Sequence, residues 1–284
     1  MNEDNITEAV LARIAGTPDP RLKQIMTSLV KHLHAFAREV SLTEEEWFEG
    51  IQFLTDTGHM CSGKRQEFIL LSDTLGLSML TVALNHRKPP GCTESTVFGP
   101  FHVEGAPHYE NGADIANGAK GEPCHVSGAV RGLDGKPVPG AVIEVWQADA
   151  AGFYDVQYAE LAHAQARGVL HSGPDGSFHF WTIVAEDYPI PVDGPAGRML
   201  NATARHPWRP AHLHFMIKAD GYETLTTHVF RAGDKYLDSD AVFGVRSSLI
   251  ADWVPHEAGT APDGSRRDGR FYTLDYAFVL NPVA

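Results

Sequence analysis

The sharpest chemical feature of this 284-residue chain is the run Arg209-Pro210-Ala211-His212-Leu213-His214-Phe215. On a β-strand, residues i and i+2 face the same way, so His212 and His214 project side by side. Neutral imidazole is a ligand for iron, copper, nickel and zinc. Two histidines spaced like this, taken alone, are more often two polar residues on one strand face. Here Leu213, Phe215 and Ile217 form an apolar set on the opposite face, which aims the imidazoles into a different environment. The chain holds its own control. His32-Leu33-His34 has the same spelling in a helical stretch, where i and i+2 diverge, and reads as solvent-facing or incidental. His179, between Phe178 and Phe180, has no partner two residues away and reads as a locally satisfied histidine.

No HExxH, CxxC or acidic pair accompanies His212 and His214. Further donors of suitable type are Tyr154, in Gly152-Phe153-Tyr154-Asp155, and Tyr188, in Asp187-Tyr188-Pro189-Ile190-Pro191. A phenolate is a hard, anionic donor suited to iron(III). Tyrosine ionises near pH 10 when unperturbed, so a phenolate at neutral pH needs a strong Lewis acid beside it. Either tyrosine alone is more often a packed aromatic, and Arg209 alone is more often half of an ion pair.

The elements that must position these groups fall into two halves. Residues 1 to about 90 read as helices. Asp19-Pro20 supplies an N-cap and a proline at the first helical position. Leu22, Ile25, Met26, Leu29, Val30, Leu33 and Phe36 then recur at three- and four-residue spacing. Thr43-x-x-Glu46 is a capping box opening a helix that carries Trp47, Phe48, Ile51 and Leu54 and stops near Gly58. A third, strongly apolar helix is expected from about Lys64 to His86, before Lys88-Pro89-Pro90-Gly91 breaks the pattern.

From about residue 122 the period changes to two. Strands are expected over Cys124 to Arg131, Ala141 to Gln147, Ser177 to Val184, Ala211 to Ile217, Thr224 to Phe230 and Phe271 to Leu280. Turn signals such as Gly173-Pro174-Asp175-Gly176 lie between them. The expectation is a mainly β protein: an antiparallel β-sandwich over 96–284 behind a helical domain over 1–95. Residues 91 to 121 and 185 to 210 are Gly/Pro-rich and irregular, and long loops in compact domains are often functional. The helical half is either an independent domain or a dimerisation platform.

The formal charge, 23 − 36 = −13, argues against nucleic acid, whose partners present a basic face, and against adsorption to anionic membrane. The opening Met1-Asn2-Glu3-Asp4-Asn5 has neither basic nor apolar signal regions, and no apolar run reaches about 18 residues, so neither a secretory signal nor a membrane span is expected. Cys61, Cys92 and Cys124 are odd in number and widely spaced, which reads as free thiols in a reducing cytoplasm.

The segments Glu144-Val145-Trp146-Gln147-Ala148-Asp149, Gly152-Phe153-Tyr154, Arg209 to Phe215 and Gly233-Asp234-Lys235-Tyr236-Leu237 resemble the intradiol ring-cleavage dioxygenases, over nearly the whole chain. Within that family, Thr226-Thr227-His228-Val229-Phe230, Tyr236-Leu237-Asp238-Ser239-Asp240 and Thr96-Val97-Phe98-Gly99-Pro100-Phe101 are most similar to members that act on hydroxyquinol. Catechol-cleaving members usually carry Gln at the position of His228 and an acidic residue at that of Phe98.

The resemblance implies one non-haem Fe(3+) per subunit, ligated by Tyr154, Tyr188, His212 and His214. Arg209, Tyr188 and His228 would be the catalytic residues, with Arg209 and His228 behind the substrate and Tyr188 leaving the metal with a substrate proton. Leu70, Asp73, Val97, Phe98, Gly99, Pro100, Ile190, Pro191 and Val242 would surround the ring, Asp73 being the candidate contact for a third hydroxyl. The resemblance further implies aromatic catabolism and a homodimer with a phospholipid at the helical interface. With hydroxyquinol (benzene-1,2,4-triol) and O2, the product would be 3-hydroxy-cis,cis-muconate, the enol form of maleylacetate. Alternatives at this point are a catechol or chlorocatechol 1,2-dioxygenase, a non-catalytic prealbumin-like sandwich, for which Asp134-Gly135-Lys136-Pro137 is a shared turn pattern, and a zinc or iron(II) cupin-type enzyme.

Overall fold

A computed structural model describes residues 1–63 and 65–283. The chain folds as two compact units, Met1–Asp56 and Thr57–Ala284. The first contains α1 (Ile6–Ile14), α2 (Pro20–Glu39) and most of α3 (Glu44–His59). The Asp19 carboxylate accepts from the backbone N–H of Arg21 at 2.8 Å and of Leu22 at 3.2 Å, which caps α2 ahead of Pro20. Thr43 and Glu46 close a reciprocal box at the start of α3, at 2.9 and 3.2 Å. Arg38 and His34 of α2 both reach the Thr7 hydroxyl on α1. The apolar stripe of α2 (Leu22, Ile25, Leu29, Leu33, Phe36) and the Trp47, Phe48, Ile51 and Leu54 side chains of α3 are exposed.

In the second unit, the single helix expected to about His86 is two: α4 (Glu67–Thr74) and α5 (Leu77–Asn85), bent by 79°. Gly76 adopts a left-handed φ of 74° at the junction, the conformation in which an α-helix commonly ends. Lys64, the expected start of that helix, lies outside the described residues. No single helix among the described residues is long and apolar enough to cross a membrane. α4 lies within the strand-rich unit because Leu70 packs with Val97, Ile190 and Val242.

The strands are β1 (Pro123–Gly132), β2 (Val142–Trp146), β3 (Arg167–His171), β4 (Ser177–Ile183), β5 (Tyr188–Pro189), β6 (Trp208–Arg209), β7 (His212–Lys218), β8 (Leu225–Arg231), β9 (Ile250–Ala251), β10 (Trp253–His256), β11 (Gly259–Thr260), β12 (Arg266–Arg267) and β13 (Phe271–Leu280). They form a four-stranded sheet, β10-β13-β1-β4, and a five-stranded sheet, β3-β2-β7-β8-β9, with two short hairpin-like pairs, β5-β6 and β11-β12. Pairing is antiparallel except for β1 with β13 and β8 with β9, which run parallel. The segment 185–210, expected to be irregular, holds β5, β6 and α6 (Pro195–Ala202).

The two sheets bury one core between them. Val126, Phe178, Phe180, Leu274 and Phe278 enter it from the first, and Ile143, Val145, Leu213, Phe215, Ile217 and Val229 from the second. Period-two alternation then forces the intervening residues of β2, β7 and β8 onto the other face of the five-stranded sheet. Trp146, His212, His214, His228 and Phe230 stand there, buried by loops instead of by a second sheet.

Candidate metal centre

Strand register builds the back wall of the site. Trp146 on β2 pairs with His214 on β7, and His214 pairs with His228 on β8, so three rings form a row across the sheet. Trp146 stacks on His214 with centroids 4.7 Å apart and planes 16° apart. His212 lies opposite Phe230 in the same register.

Two loops bring oxygen donors to this wall. Asp149 accepts from the backbone N–H of Ala151 and Phe153 and from the Tyr158 hydroxyl, and Gln157 accepts from the Tyr154 N–H, so the Tyr154 loop is tied to itself. Phe101 stacks on the Tyr154 ring at 4.4 Å. Tyr188 is held by β5, where it pairs with Arg209 of β6. Gly152 adopts φ +82°, and a Cβ there would stand 2.8 Å from the Tyr188 Cβ, so the two loops approach this closely only with glycine.

The four expected donor atoms converge. Tyr154 Oη is 2.9 Å from His214 Nε2 and 3.2 Å from Tyr188 Oη, and the Nε2 atoms of His212 and His214 are 3.2 Å apart. Donors bound about 2.1 Å from one ion at near-right angles stand ~3 Å apart, given ordinary metal–nitrogen and metal–oxygen lengths. The spacing therefore fits a single cation. All four side chains are buried. Burial, with Arg209 adding to it, pushes the His212 imidazole down to about 3. Burial and the neighbouring imidazoles hold His214 and His228 well below the ordinary histidine value. The rings are neutral and offer lone pairs. Burial first, and then Tyr188, push the Tyr154 phenol well above its ordinary value, so a phenolate here depends on a cation supplying the opposing charge.

The ring nitrogens of His212, His214 and His228 lie within 4.8 Å of one another. His228 nevertheless stands apart from the donor set. Its Nε2 is 2.8 Å from His214 Nδ1 and its Nδ1 is 2.7 Å from the Thr96 hydroxyl, so both nitrogens are already engaged.

Arg209 is buried beside these donors. Its Nε and Nη2 donate to the Asp240 carboxylate at 3.0 and 3.3 Å, and Nη1 lies 3.3 Å from His212 Nε2. Burial opposes the guanidinium charge, and Asp240 more than offsets it, so Arg209 stays protonated.

A cavity of about 260 Å³ opens in front of Tyr188 and Arg209. Among the expected ring contacts, Leu70, Asp73, Gly99, Pro100, Ile190, Pro191 and Val242 line it. Two of the expected contacts, and one expected catalytic residue, do not. Val97 is buried in the apolar cluster behind Leu70 and Ile190. Phe98 is 42 % exposed and packs on His102 and Trp146 instead. His228 faces His214 instead of the cavity. Asp73 is buried, and burial raises its carboxyl above the ordinary range against a hydrogen bond from Ser78.

Sequence reasoning missed the cavity residues Arg65, Gln66, Glu67, Phe101, Val156 and Gln157. Arg65 makes a two-pronged contact with Asp193 at 2.9 Å and a second with Glu67. A partner 128 residues away leaves no local signal. Asp240 closes the Tyr236-to-Asp240 motif without an expected role; the buried arginine it satisfies is the missing clue.

Residues 97–282 match the family model described as "Dioxygenase", and residues 19–93 match "Catechol dioxygenase N terminus". The 6-chlorohydroxyquinol 1,2-dioxygenase of Cupriavidus pinatubonensis is 70% identical, over 99% of this chain and 98% of that one. The hydroxyquinol 1,2-dioxygenase of Nocardioides simplex is 55% identical, over 99% and 96%. Among solved structures, a hydroxyquinol 1,2-dioxygenase from Pseudomonas putida superposes with a TM-score of 0.92 at 49% identity, covering 99% of each chain.

Proposed function

Because the chain belongs to the intradiol ring-cleavage dioxygenase family, we propose that it opens hydroxyquinol between its two adjacent hydroxyl-bearing carbons. Both atoms of O2 enter the product, 3-hydroxy-cis,cis-muconate. The observation that carries this reading is the convergence of two phenols and two neutral imidazoles, at 2.9 to 3.2 Å, beside a cavity of ring size.

Tyr154, Tyr188, His212 and His214 would hold one ferric ion. When bound, that ion supplies the Lewis acidity that ionises both phenols and the substrate hydroxyls and draws charge from the ring. The remaining work belongs to the chain. Tyr188 lines the cavity and Tyr154 does not, so the Tyr188 Oη is the donor placed to accept a proton from an entering diol. Arg209, fixed by Asp240, presents a preorganised positive charge to oxyanions forming on the substrate. Asp73 offers a buried carboxyl to the third hydroxyl. Leu70, Ile190 and Val242 enclose the ring and exclude water. The 70% identity to a 6-chlorohydroxyquinol enzyme favours, as a second reading, a ring that also carries chlorine.

The helical region 1–95 is read as the linker of a homodimer that also seats a phospholipid, supported by the exposed apolar residues of α2 and α3. Three unpaired cysteines support a reducing, cytoplasmic setting.

Oxygen uptake by the iron-loaded protein with hydroxyquinol, 6-chlorohydroxyquinol and catechol tests the assignment. The highest kcat/KM is expected on a triol, with two labelled oxygens in the product from 18O2. A strong preference for catechol overturns the substrate, and no uptake with any of the three overturns the activity.

A further inference from the structure

His214 is gripped on its flat face, but flat packing does not choose between its two nitrogens. Trp146 stacks on a face of the ring, while at its edge a Cβ on Gly99 would stand 3.1 Å from His214 Cε1. A 180° flip about χ2 leaves the ring plane unchanged and exchanges Nδ1 with a carbon. Something directional must therefore decide which nitrogen meets Tyr154 and His212. The neighbouring ligand solves the same problem with backbone: His212 Nδ1 donates to the Pro210 carbonyl at 2.7 Å, which leaves Nε2 as the lone pair. Among the described residues no backbone carbonyl takes that part for His214. The partner of its Nδ1 is His228 Nε2 at 2.8 Å, and the other nitrogen of His228 is 2.7 Å from the Thr96 hydroxyl.

We propose that His228 and Thr96 form a proton-ordered relay that fixes the tautomer and orientation of His214, so that His228 is a positioning residue behind the metal ligand and not a substrate contact. This rests on the reading of His214 as a ligand. A neutral imidazole that binds through Nε2 carries its proton on Nδ1. That proton is donated to His228 Nε2, which must then be the bare nitrogen. His228 therefore keeps its own proton on Nδ1 and donates it to Thr96 Oγ1. Each atom in the series has one role, and reversing any member leaves two protons or two lone pairs facing each other. Thr96 is a firm end point: it is buried, β-branched and stiff at χ1, and its backbone N–H donates to the Thr226 carbonyl at 3.0 Å on β8. Partners that orient a ligating histidine typically change metal affinity by about 10- to 100-fold when removed.

Three variants of the iron-loaded protein, His228→Gln, His228→Asn and Thr96→Val, test the relay. A glutamine amide reaches the place of Nε2, whereas an asparagine amide reaches only that of Nδ1. The rate of iron loss to excess chelator and the energy of the visible phenolate-to-iron(III) band are measured, with KM for hydroxyquinol alongside. His228→Asn is expected to lose iron roughly 10- to 100-fold faster with a shifted band. His228→Gln should stay close to the parent, and Thr96→Val, which replaces the hydroxyl with a methyl, should fall between them. Unchanged iron loss and band in His228→Asn, with KM raised instead, overturns the relay and restores a substrate contact. Equal losses in His228→Gln and His228→Asn overturn it as well, since only their reach differs. A parent protein that binds no ferric ion overturns the ligand reading and the relay together.

Discussion

The Oη atoms of Tyr154 and Tyr188 stand 3.2 Å apart, although the residues lie 34 positions apart, one on a loop and one on β5. Two phenols held that close in a buried site cannot both ionise unless a cation balances their charge. The iron-loaded protein is therefore expected to be wine-red, from phenolate-to-iron(III) charge transfer. Tyr154→Phe and Tyr188→Phe should each alter the band, measured by absorption spectroscopy. A spectrum unchanged in both variants removes the tyrosines from the donor set.

Asp240 anchors Arg209 in the buried wall, and it also accepts from the backbone N–H of Gly244 at 2.9 Å. Removing one partner of a buried pair leaves an uncompensated charge, at a cost of about 3–5 kcal/mol. Asp240→Ala should lower the denaturation midpoint accordingly and lower kcat through Arg209. Burial works to raise the Asp240 carboxyl, and the Arg209 charge overcomes it, so the folded value lies below the ordinary one. A depressed carboxyl contributes stability that is whole above the unfolded value near 3.9 and is lost as pH falls through the folded value. Wild-type stability should therefore fall below about pH 4, and this component of the slope should vanish in Asp240→Asn.

Gly99 combines a left-handed φ of 77° with the close approach to His214 described above. Gly99→Ala meets both a strained backbone, at roughly 1–2 kcal/mol, and the imidazole edge. Iron content per subunit is expected to drop along with kcat, while far-ultraviolet circular dichroism stays near that of the parent. Full iron occupancy with normal turnover would show that the wall has room to give.

Asp73 is a buried carboxyl that lines the cavity. A site built to hydrogen-bond a hydroxyl discriminates strongly against the analogue that lacks it. Asp73→Leu should cut the ratio of kcat/KM for hydroxyquinol over catechol by at least about tenfold. A ratio unmoved by the substitution assigns the third hydroxyl to another contact.

The parts of the fold legible in sequence are those written in local periods. Leu213, Phe215 and Ile217 alternate with His212 and His214, and the structure sends the two sets to opposite faces of β7. The Asp19 and Thr43 caps are equally local, and β13 spans the expected Phe271 to Leu280. The convergence of Tyr154 and Tyr188 is not local: a loop and the short strand β5 meet there, and only resemblance to known sequences connects them. The break at Gly76 escapes because apolar spacing continues on both sides of it. α6 escapes because it is eight residues long and contains Gly197 and Pro195. Position in a motif places His228 beside the substrate. Its register opposite His214, visible only once β7 and β8 are paired, sets its ring against that histidine.

The parallel pairing of β1 with β13 has a consequence for synthesis. β1 acquires β4 as a neighbour early, but its other edge is covered only by residues 271–280. At ordinary translation rates, the roughly 140 intervening residues take about seven to thirty seconds to emerge from the ribosome. Through that interval β1 presents unpaired backbone groups, an edge prone to joining other chains. The sheet bearing His212 and His214 is complete in sequence by β9, so the histidine-bearing wall can form while the opposite half still awaits its closing strand.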